Sequence, residues 1–295
     1  MFDSFKEFDI PVSPTITIHG IQSGSGPPLL LLHGFPQTHH IWHRIAPSLT
    51  SSYTIIALDL RGYGTSSKPP SSAKENHKPY AKSTMAADCI AVMTTLGFPK
   101  FFLCGHDRGA RVAHKLCVDF PDRVEKVMLL DIAPTLAMFE KTDMEFANKY
   151  FHWFFMLQAE PFPEEVMLRN KEQFALRFFG GGYSGGGGFF DEQAMEKYMG
   201  LFEDRECVHG MCEDYRAAAT VDLEEARKDR EVGRKVKCPA RVLAGGKGVV
   251  AKMDFLGLWR DVCEGEVSGD VVESGHYIPE EVPDVLLKNI REFFL

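Results

Sequence analysis

Residues 105–111 read GHDRGAR, and this stretch is the strongest indicator of the fold in the sequence. The spacing is Gly-x-Asp-x-Gly. An apolar stretch from Lys100 to Cys104 precedes it, and a helical pattern from Ala110 to Phe120 follows it. A strand that ends in Gly-x-nucleophile-x-Gly and opens a helix makes a tight, strained turn, which holds the central side chain above the edge of a sheet. The pattern therefore indicates that Asp107 occupies a nucleophile position.

On both sides of this turn along the chain, further apolar stretches have the length and composition of buried strands. They are Pro14–Gly20, Pro28–His33, Tyr53–Leu60, Val124–Ile132, Ala240–Gly245 and Gly269–Ser274. Helical patterns lie at Ser83–Leu96, Gly109–Phe120 and about Pro283–Phe293. Strands that alternate with helices predict an α/β fold with a mostly parallel central sheet and helices on both faces.

The alternation stops at about Pro134 and resumes after Thr220. The intervening stretch is rich in Met, Phe and Tyr and contains the run FGGGYSGGGG, which is typical of a flexible loop. We expect residues 135–220 to be an inserted helical cap, with residues 1–134 and 221–295 forming the α/β core. The charged run from Asp222 to Lys237 indicates a solvated helix that leads back to the sheet.

Composition excludes several classes of protein. The net charge of −8 disfavours a surface for nucleic acid or for an anionic membrane, and no apolar run is long enough to span a bilayer. The seven cysteines include no C-x-x-C pair, and the N-terminus lacks the apolar region of a secretory signal. We therefore expect a cytoplasmic protein with reduced thiols.

An aspartate nucleophile attacks saturated carbon and forms an ester on its own side chain, and a base must then activate water to cleave that ester. His276, in the stretch ESGHYIPEE, follows a strand near the C-terminus and is the best candidate for the base. Asp131, at the end of the strand after the turn helix, is expected to orient it. Asp254 is the alternative acid.

Two further features surround Asp107. The loop HGFP at residues 33–36 is placed to aim the backbone N–H of Phe35 at a developing oxyanion, together with the N–H of Arg108, whereas His33 itself is expected to be structural. Arg108 and Arg111 lie three residues apart on one helix face. They could form a structural ion pair with Asp107, or they could bind a substrate carboxylate. The second interpretation explains more, because an anionic nucleophile repels an anionic substrate.

At this point the chain resembles a known family. The stretches GHDRGAR, HGFPQTH, LDIAPT, YFHWFF, MCEDYRA and ESGHYIPEE are together similar to those of fluoroacetate (haloacetate) dehalogenases of the α/β-hydrolase superfamily, which neighbour the epoxide hydrolases. The resemblance extends from about Gly26 to the end of the chain. It implies that Asp107 is the nucleophile, His276 the base and Asp131 the acid, and that Arg108 and Arg111 bind the substrate carboxylate.

The resemblance also implies a halide site made of His152, Trp153 and Tyr215, which the residues alone would assign to packing. It implies hydrolysis of a short 2-haloacid, with water as co-substrate and no metal or organic cofactor, and it is compatible with a homodimer. The segment Phe178–Phe190 departs from the family, because a glycine run replaces a bulkier stretch. Phe179 is the nearest aromatic candidate there, so the resemblance does not fix the size of the pocket.

Two other functions fit the same residues. An epoxide hydrolase uses the same Asp/His/Asp set but needs acidic donors, usually two tyrosines; Tyr215 is placed for this, and Tyr150 and Tyr183 are available. A non-catalytic binding protein on this scaffold would not need the intact set. A metal site is not expected at the clustered histidines His33, His39, His40 and His43, because no carboxylate or thiolate completes the set.

Overall fold

The computed structural model describes residues 1–180 and 188–295. Its strands form one sheet in the order β1-β2-β4-β3-β5-β6-β7-β8. The strands are β1 (Lys6–Ser13), β2 (Ile16–Gly24), β3 (Pro28–Leu32), β4 (Thr54–Leu58), β5 (Phe101–His106), β6 (Val124–Leu130), β7 (Ala240–Gly245) and β8 (Val267–Val272). β1 and β2 pair antiparallel to each other and β2 to β4, whereas β3 to β8 pair parallel. The predicted α/β fold class is confirmed.

The α-helices of the described residues follow in chain order. They are α1 (Ala46–Leu49), α2 (Lys82–Thr95), α3 (Arg108–Asp119), α4 (Thr135–Glu140), α5 (Met144–Lys149), α6 (Phe151–Met156), α7 (Phe162–Arg169), α8 (Lys171–Phe179), α9 (Glu192–Leu201), α10 (Arg205–Ala219), α11 (Val221–Val232), α12 (Phe255–Val262), α13 (Ile278–Glu281) and α14 (Pro283–Phe294). Short 3-10 turns lie at His39–Trp42, Ala73–Glu75, Lys78–Tyr80 and Val250–Lys252.

The central strands β3 to β7 are largely buried on both faces, which explains their continuous apolar sequences. Successive residues of a strand point to opposite faces, so the strands feed two apolar layers. Leu30 and Leu32 of β3 lie in the layer that contains α2 and α3, whereas Leu29 and Leu31 lie in the layer that contains α1 and α14. All four leucines are fully buried. This packing holds the parallel strands in place, so that their C-terminal ends lie together at one edge of the sheet.

The chain between β6 and β7 is built of helices in its described part, from α4 to α11. α11 packs on the core through side-chain hydrogen bonds: Asp222 accepts from the backbone N–H of Lys82 at 2.8 Å, and Asp229 accepts from Lys115 at 2.8 Å. These bonds attach α11 to α2 and α3. The domain boundaries at residues 134/135 and 220/221 stay a prediction.

Across residues 1–180 and 188–295, every helix is either too short or too polar to traverse a bilayer.

Candidate active site

Asp107 lies in a sharp turn between β5 and α3. Its φ of 48° falls in the left-handed region that non-glycine residues seldom adopt. A Cβ atom at Gly105 would come within 2.7 Å of the Cα of Ala110, and one at Gly109 would collide with the backbone oxygen of His33. Both glycines of the motif are therefore required by close backbone approach, and the turn holds Asp107 at the C-terminal edge of the sheet.

The carboxylate of Asp107 faces the loop after β3. Its Oδ1 accepts a hydrogen bond from the backbone N–H of Phe35 at 2.9 Å. A Cβ at Gly34 would lie 2.6 Å from this oxygen and 2.8 Å from the backbone N of Arg108, so both predicted oxyanion amides border one small space. Burial alone would raise the pKa of Asp107, but His276, His106 and the two arginines hold it below its ordinary value. The carboxylate is therefore ionised at neutral pH.

His276 and Asp131 form the second part of the site. Nδ1 of His276 lies 2.6 Å from Oδ2 of Asp131, and its Nε2 faces Oδ2 of Asp107 at 3.8 Å. The other oxygen of Asp131 accepts from the N–H of Gly245 at 2.8 Å, which fixes the carboxylate. Burial alone would lower the pKa of His276, but its hydrogen bond to Asp131 and the charges of Asp131 and Asp107 raise it.

The alternative acid, Asp254, lies elsewhere. Its side chain is exposed and caps α12 by accepting a hydrogen bond from the N–H of Gly257 at 3.0 Å. The structure thus brings Asp131 to His276, and Asp254 performs a local structural task.

His106 lies directly before Asp107 and helps to hold the loop that carries His276. Its ring is fully buried, and Nε2 lies 2.8 Å from the backbone oxygen of His276. Burial, with a smaller contribution from His276, lowers its pKa to about 3. The imidazole is therefore neutral, and it donates to the loop that carries His276.

Arg108 pairs with a residue that the sequence did not suggest. Its Nε donates to Oδ2 of Asp214 at 3.0 Å and its Nη2 donates to Oδ1 at 2.6 Å, so the forked side of the guanidinium is bound to a carboxylate of α10. Its Nη1 has no hydrogen-bond partner among the described residues. The ion pair of Arg108 is therefore with Asp214, not with Asp107.

Arg111 is held in a similar way by different groups. Nη1 donates to Oγ1 of Thr135 at 2.8 Å, and Nη2 lies 3.1 Å from the sulfur of Met138. Nε, like Nη1 of Arg108, has no hydrogen-bond partner in the described parts of the chain. Burial and the charge of Arg108 lower the pKa of Arg111 to about 10, so the side chain is still cationic at neutral pH.

An aromatic wall closes the site from the inserted helices. His152 and Trp153 of α6 lie with Tyr215 of α10, at ring-centroid distances of 5.5 Å between His152 and Tyr215 and 6.1 Å between Trp153 and Tyr215. The ring of His152 stacks on Phe35 at 5.8 Å, and the guanidinium of Arg108 lies 4.3 Å from the centre of the Tyr215 ring. The three residues that the resemblance assigned to a halide site are thus in mutual contact beside the arginines.

Phe179 is not the aromatic residue of this wall. It stacks on Tyr198 at 5.6 Å, whereas Phe178 packs edge-on against Phe35 at 5.0 Å and against His152 at 5.2 Å. The expectation for Phe179 was therefore wrong by one residue, which is a rotation of about 100° around a helix. Tyr183 and most of the glycine run fall within residues 181–187, outside the described residues.

One of the clustered histidines, His39, contacts a carboxylate, Asp59, that the sequence did not suggest. A ligand nitrogen from each of His19 and His39 lies within 4.8 Å of an oxygen of Asp59. Oδ1 of Asp59 accepts from the backbone N–H of His39 and contacts its Nδ1 at 2.8 Å, while Oδ2 accepts from the N–H of Thr65. Hydrogen bonds within the protein account for this cluster. His33 is structural as expected, because its Nε2 accepts from the N–H of Leu60 at 3.0 Å.

The fold and the site define an α/β hydrolase. Residues 27–180 match the family model described as alpha/beta hydrolase fold. A strand–turn–helix elbow at the edge of a parallel sheet, with a nucleophile, a histidine and an acid after three different strands, is the arrangement of that family. The chain therefore belongs to the α/β-hydrolase family and is a hydrolase.

Its relatives place it within that family. It is 40% identical to a fluoroacetate dehalogenase from Burkholderia sp, in an alignment that covers 99% of this chain and 95% of that protein. It is 29% identical to a soluble epoxide hydrolase from Corynebacterium sp. (strain C12), over 94% of this chain and 93% of that protein. A crystal structure from Nostoc sp PCC 7120, described provisionally as an alpha/beta hydrolase, matches with a TM-score of 0.95 and 44% identity, over 100% of this chain and 99% of that one. The chain thus lies in the branch that holds fluoroacetate dehalogenases and epoxide hydrolases.

Proposed function

We propose that the protein is a hydrolytic dehalogenase that converts a short 2-haloacid, such as fluoroacetate or chloroacetate, into the 2-hydroxyacid and free halide. One observation carries the proposal: two buried guanidiniums beside Asp107 each keep one nitrogen, Nη1 of Arg108 and Nε of Arg111, without a partner in the described chain. A buried cationic donor without a partner is costly. A substrate carboxylate would supply the missing acceptor to both.

In the first step the carboxylate of Asp107 attacks the carbon that bears the halogen. The carbon–oxygen bond forms while the carbon–halogen bond breaks, and the halide leaves with the electron pair. Oδ2 is the proposed attacking oxygen, because Oδ1 accepts the N–H of Phe35. His152, Trp153 and Tyr215 would donate to the departing halide; a buried N–H such as Nε1 of Trp153, which lacks a partner within residues 1–180 and 188–295, suits this role.

In the second step Nε2 of His276 takes a proton from water, and the hydroxide adds to Cγ of the ester. The negative charge moves to Oδ1, where the N–H groups of Phe35 and Arg108 would stabilise it. The intermediate collapses, the alkoxide of the product leaves, and His276 returns the proton to it. Asp107 is left as a carboxylic acid and loses its proton to solvent. No metal or organic cofactor enters these steps.

The second candidate function is epoxide hydrolysis, which the relative from Corynebacterium sp. supports. It needs an acidic donor for the epoxide oxygen. Tyr150 is buried against His152 and Trp153, at ring distances of 5.8 and 5.7 Å, so that two tyrosines, Tyr150 and Tyr215, lie in the aromatic wall. The buried arginines favour an anionic substrate over a neutral epoxide.

The test is turnover. The purified protein is incubated with fluoroacetate, with chloroacetate and, in parallel, with styrene oxide; free halide is followed with ion-selective electrodes, and glycolate and diol by NMR. The proposal requires halide release that the Asp107→Asn variant loses. Diol without halide would move the assignment to an epoxide hydrolase. Light scattering of the same sample tests the proposed homodimer.

A further inference from the structure

Asp214 is a fully buried carboxylate that the proposed chemistry does not use directly. It lies on α10, immediately before Tyr215, and binds the forked side of Arg108 through both of its oxygens. Its backbone oxygen accepts a third bond from Nη2 of Arg108 at 2.8 Å. One residue of the inserted helices therefore holds the guanidinium at three points.

The far side of Asp214 is also occupied. The ammonium of Lys82 binds Oδ1, and the hydroxyl of Tyr63 donates to Oδ2 at 2.9 Å. Lys82 itself lies 3.5 Å from Asp222. Lys82 and Tyr63 belong to the core, so they hold the side chain of Asp214 in place independently of Arg108. Burial alone would raise the pKa of Asp214, but Arg108 and Lys82 hold it far below its ordinary value.

These contacts determine which part of Arg108 remains available. A guanidinium presents its donors in a rigid planar fork, so fixing Nε and Nη2 also fixes the direction of Nη1. Nη1 is the nitrogen without a partner in the described residues. Asp214 shares its one negative charge between Lys82 and Arg108, so it does not fully neutralise Arg108.

We propose that Asp214 is the positioning residue of the substrate site: it aims Nη1 of Arg108 at the carboxylate of the substrate and does not itself touch the substrate. The inference rests on the proposed function, in which Arg108 binds that carboxylate. It also links substrate binding to α10, because Asp214 and the proposed halide donor Tyr215 are neighbours on that helix.

The test is the variant Asp214→Asn, which keeps the size of the side chain and one hydrogen-bond acceptor but removes the charge. With chloroacetate, KM should rise at least about 10-fold while kcat changes less than about threefold, because a loosened Arg108 weakens carboxylate binding. The dissociation constant of the product glycolate, measured by calorimetry, should rise in parallel with KM. The matched control is Asp222→Asn, which removes the other carboxylate of Lys82 but has no bond to Arg108; KM and glycolate affinity should not change.

Several outcomes would overturn the inference. They are a fall in kcat at constant KM in Asp214→Asn, an unchanged glycolate affinity in that variant, or an equal rise of KM in Asp222→Asn. If Asp214→Asn does not fold, Tyr63→Phe takes its place: it removes one bond from Asp214, and an unchanged KM would count against the inference. Wild-type protein that binds glycolate but releases no halide would refute the proposed function and leave the glycolate comparison to decide the role of Asp214.

Discussion

Replacing Gly34 by alanine should disable the second chemical step more than the first. The added Cβ would lie 2.5 Å from Cβ of Asp107, 2.6 Å from its Oδ1 and 2.8 Å from the backbone N of Arg108. Carbon atoms pack favourably at about 3.5–4.0 Å, so the loop must retreat by roughly 1 Å. The hydrogen bond from the N–H of Phe35 to Asp107, now 2.9 Å, would be stretched beyond useful length.

The two steps depend on this N–H differently. It stabilises the resting carboxylate, so its loss does not weaken the attack on carbon. It is needed when negative charge collects on Oδ1 during ester hydrolysis. Loss of one oxyanion donor typically costs about 10²–10³ in kcat, or about 3–4 kcal/mol of transition-state stabilisation. We therefore expect kcat to fall by about 10², with the ester accumulating on Asp107.

The assay is rapid-quench measurement of chloride release, with intact-protein mass spectrometry of the quenched samples. Gly34→Ala should show a burst of about one chloride per site followed by slow turnover. Gly200→Ala is the control, because its new Cβ has open space and its backbone is helical. A normal kcat, or a lowered kcat with neither burst nor ester, would refute the assignment of the Phe35 N–H to oxyanion stabilisation.

Three further predictions concern Asp131, Glu280 and Trp153. Asp131→Asn removes the hydrogen bond and charge that raise the pKa of His276; the rate should fall by about 10²–10⁴, and the acid limb of the kcat profile, where His276 loses its proton, should move to lower pH. An acid limb that stays in place would contradict this. Burial raises the pKa of Glu280 from 4.5 to about 8, so between these pH values the folded state holds a proton that the unfolded state has lost. The free energy of unfolding should therefore fall by up to ~1.4 kcal/mol per pH unit as the pH rises through that range. Urea titrations of Glu280→Gln should show this dependence flattened, and an unaltered slope would argue against the buried acid. Trp153→Phe should reduce fluoride release more than chloride release, because fluoride is the stronger hydrogen-bond acceptor; equal losses would remove Trp153 from the halide site.

Much of the fold could be predicted because the central strands of the sheet are buried on both faces. β3, β4, β6 and β7 were recognised to within about two residues at either end, since a doubly buried strand is a continuous apolar run. β1 was missed although Phe8, Ile10 and Val12 alternate with polar residues or proline, because only Ile10 of its eight residues is buried and the stretch lacks a continuous apolar run. β8 was placed two residues late, because only Val272 of the six residues of this edge strand is buried.

The positions of Asp107, Asp131 and His276 could also be anticipated. Each follows the C-terminal end of a strand, and the ends of parallel strands meet at one edge of a sheet. Their catalytic roles stay part of the proposal. The structure also shows why residues 105 and 109 are glycine: backbone atoms approach these positions too closely for a Cβ atom.

The partner of Arg108 could not be predicted. Asp214 is 106 residues away and lies on a helix whose charged residues, Glu213, Asp214 and Arg216, look solvated in the sequence although all are buried. The stretch MCEDYRA contains the carboxylate, but neighbouring residues of a helix point about 100° apart, so the position of Asp214 beside Tyr215 did not show that it reaches Arg108. Phe178 was missed in favour of Phe179 because sequence spacing alone did not fix the rotation of α8.

The proposed ester on Asp107 is tested most directly with a variant that cannot hydrolyse it, so that the intermediate accumulates. His276→Asn is incubated with chloroacetate, digested and analysed by mass spectrometry, with the double variant Asp107→Asn/His276→Asn as control. We expect one carboxymethyl group per chain on the peptide that contains Asp107, stoichiometric chloride release, and no adduct in the double variant. Halide release without an adduct in His276→Asn, or an adduct on another residue, would contradict the proposal.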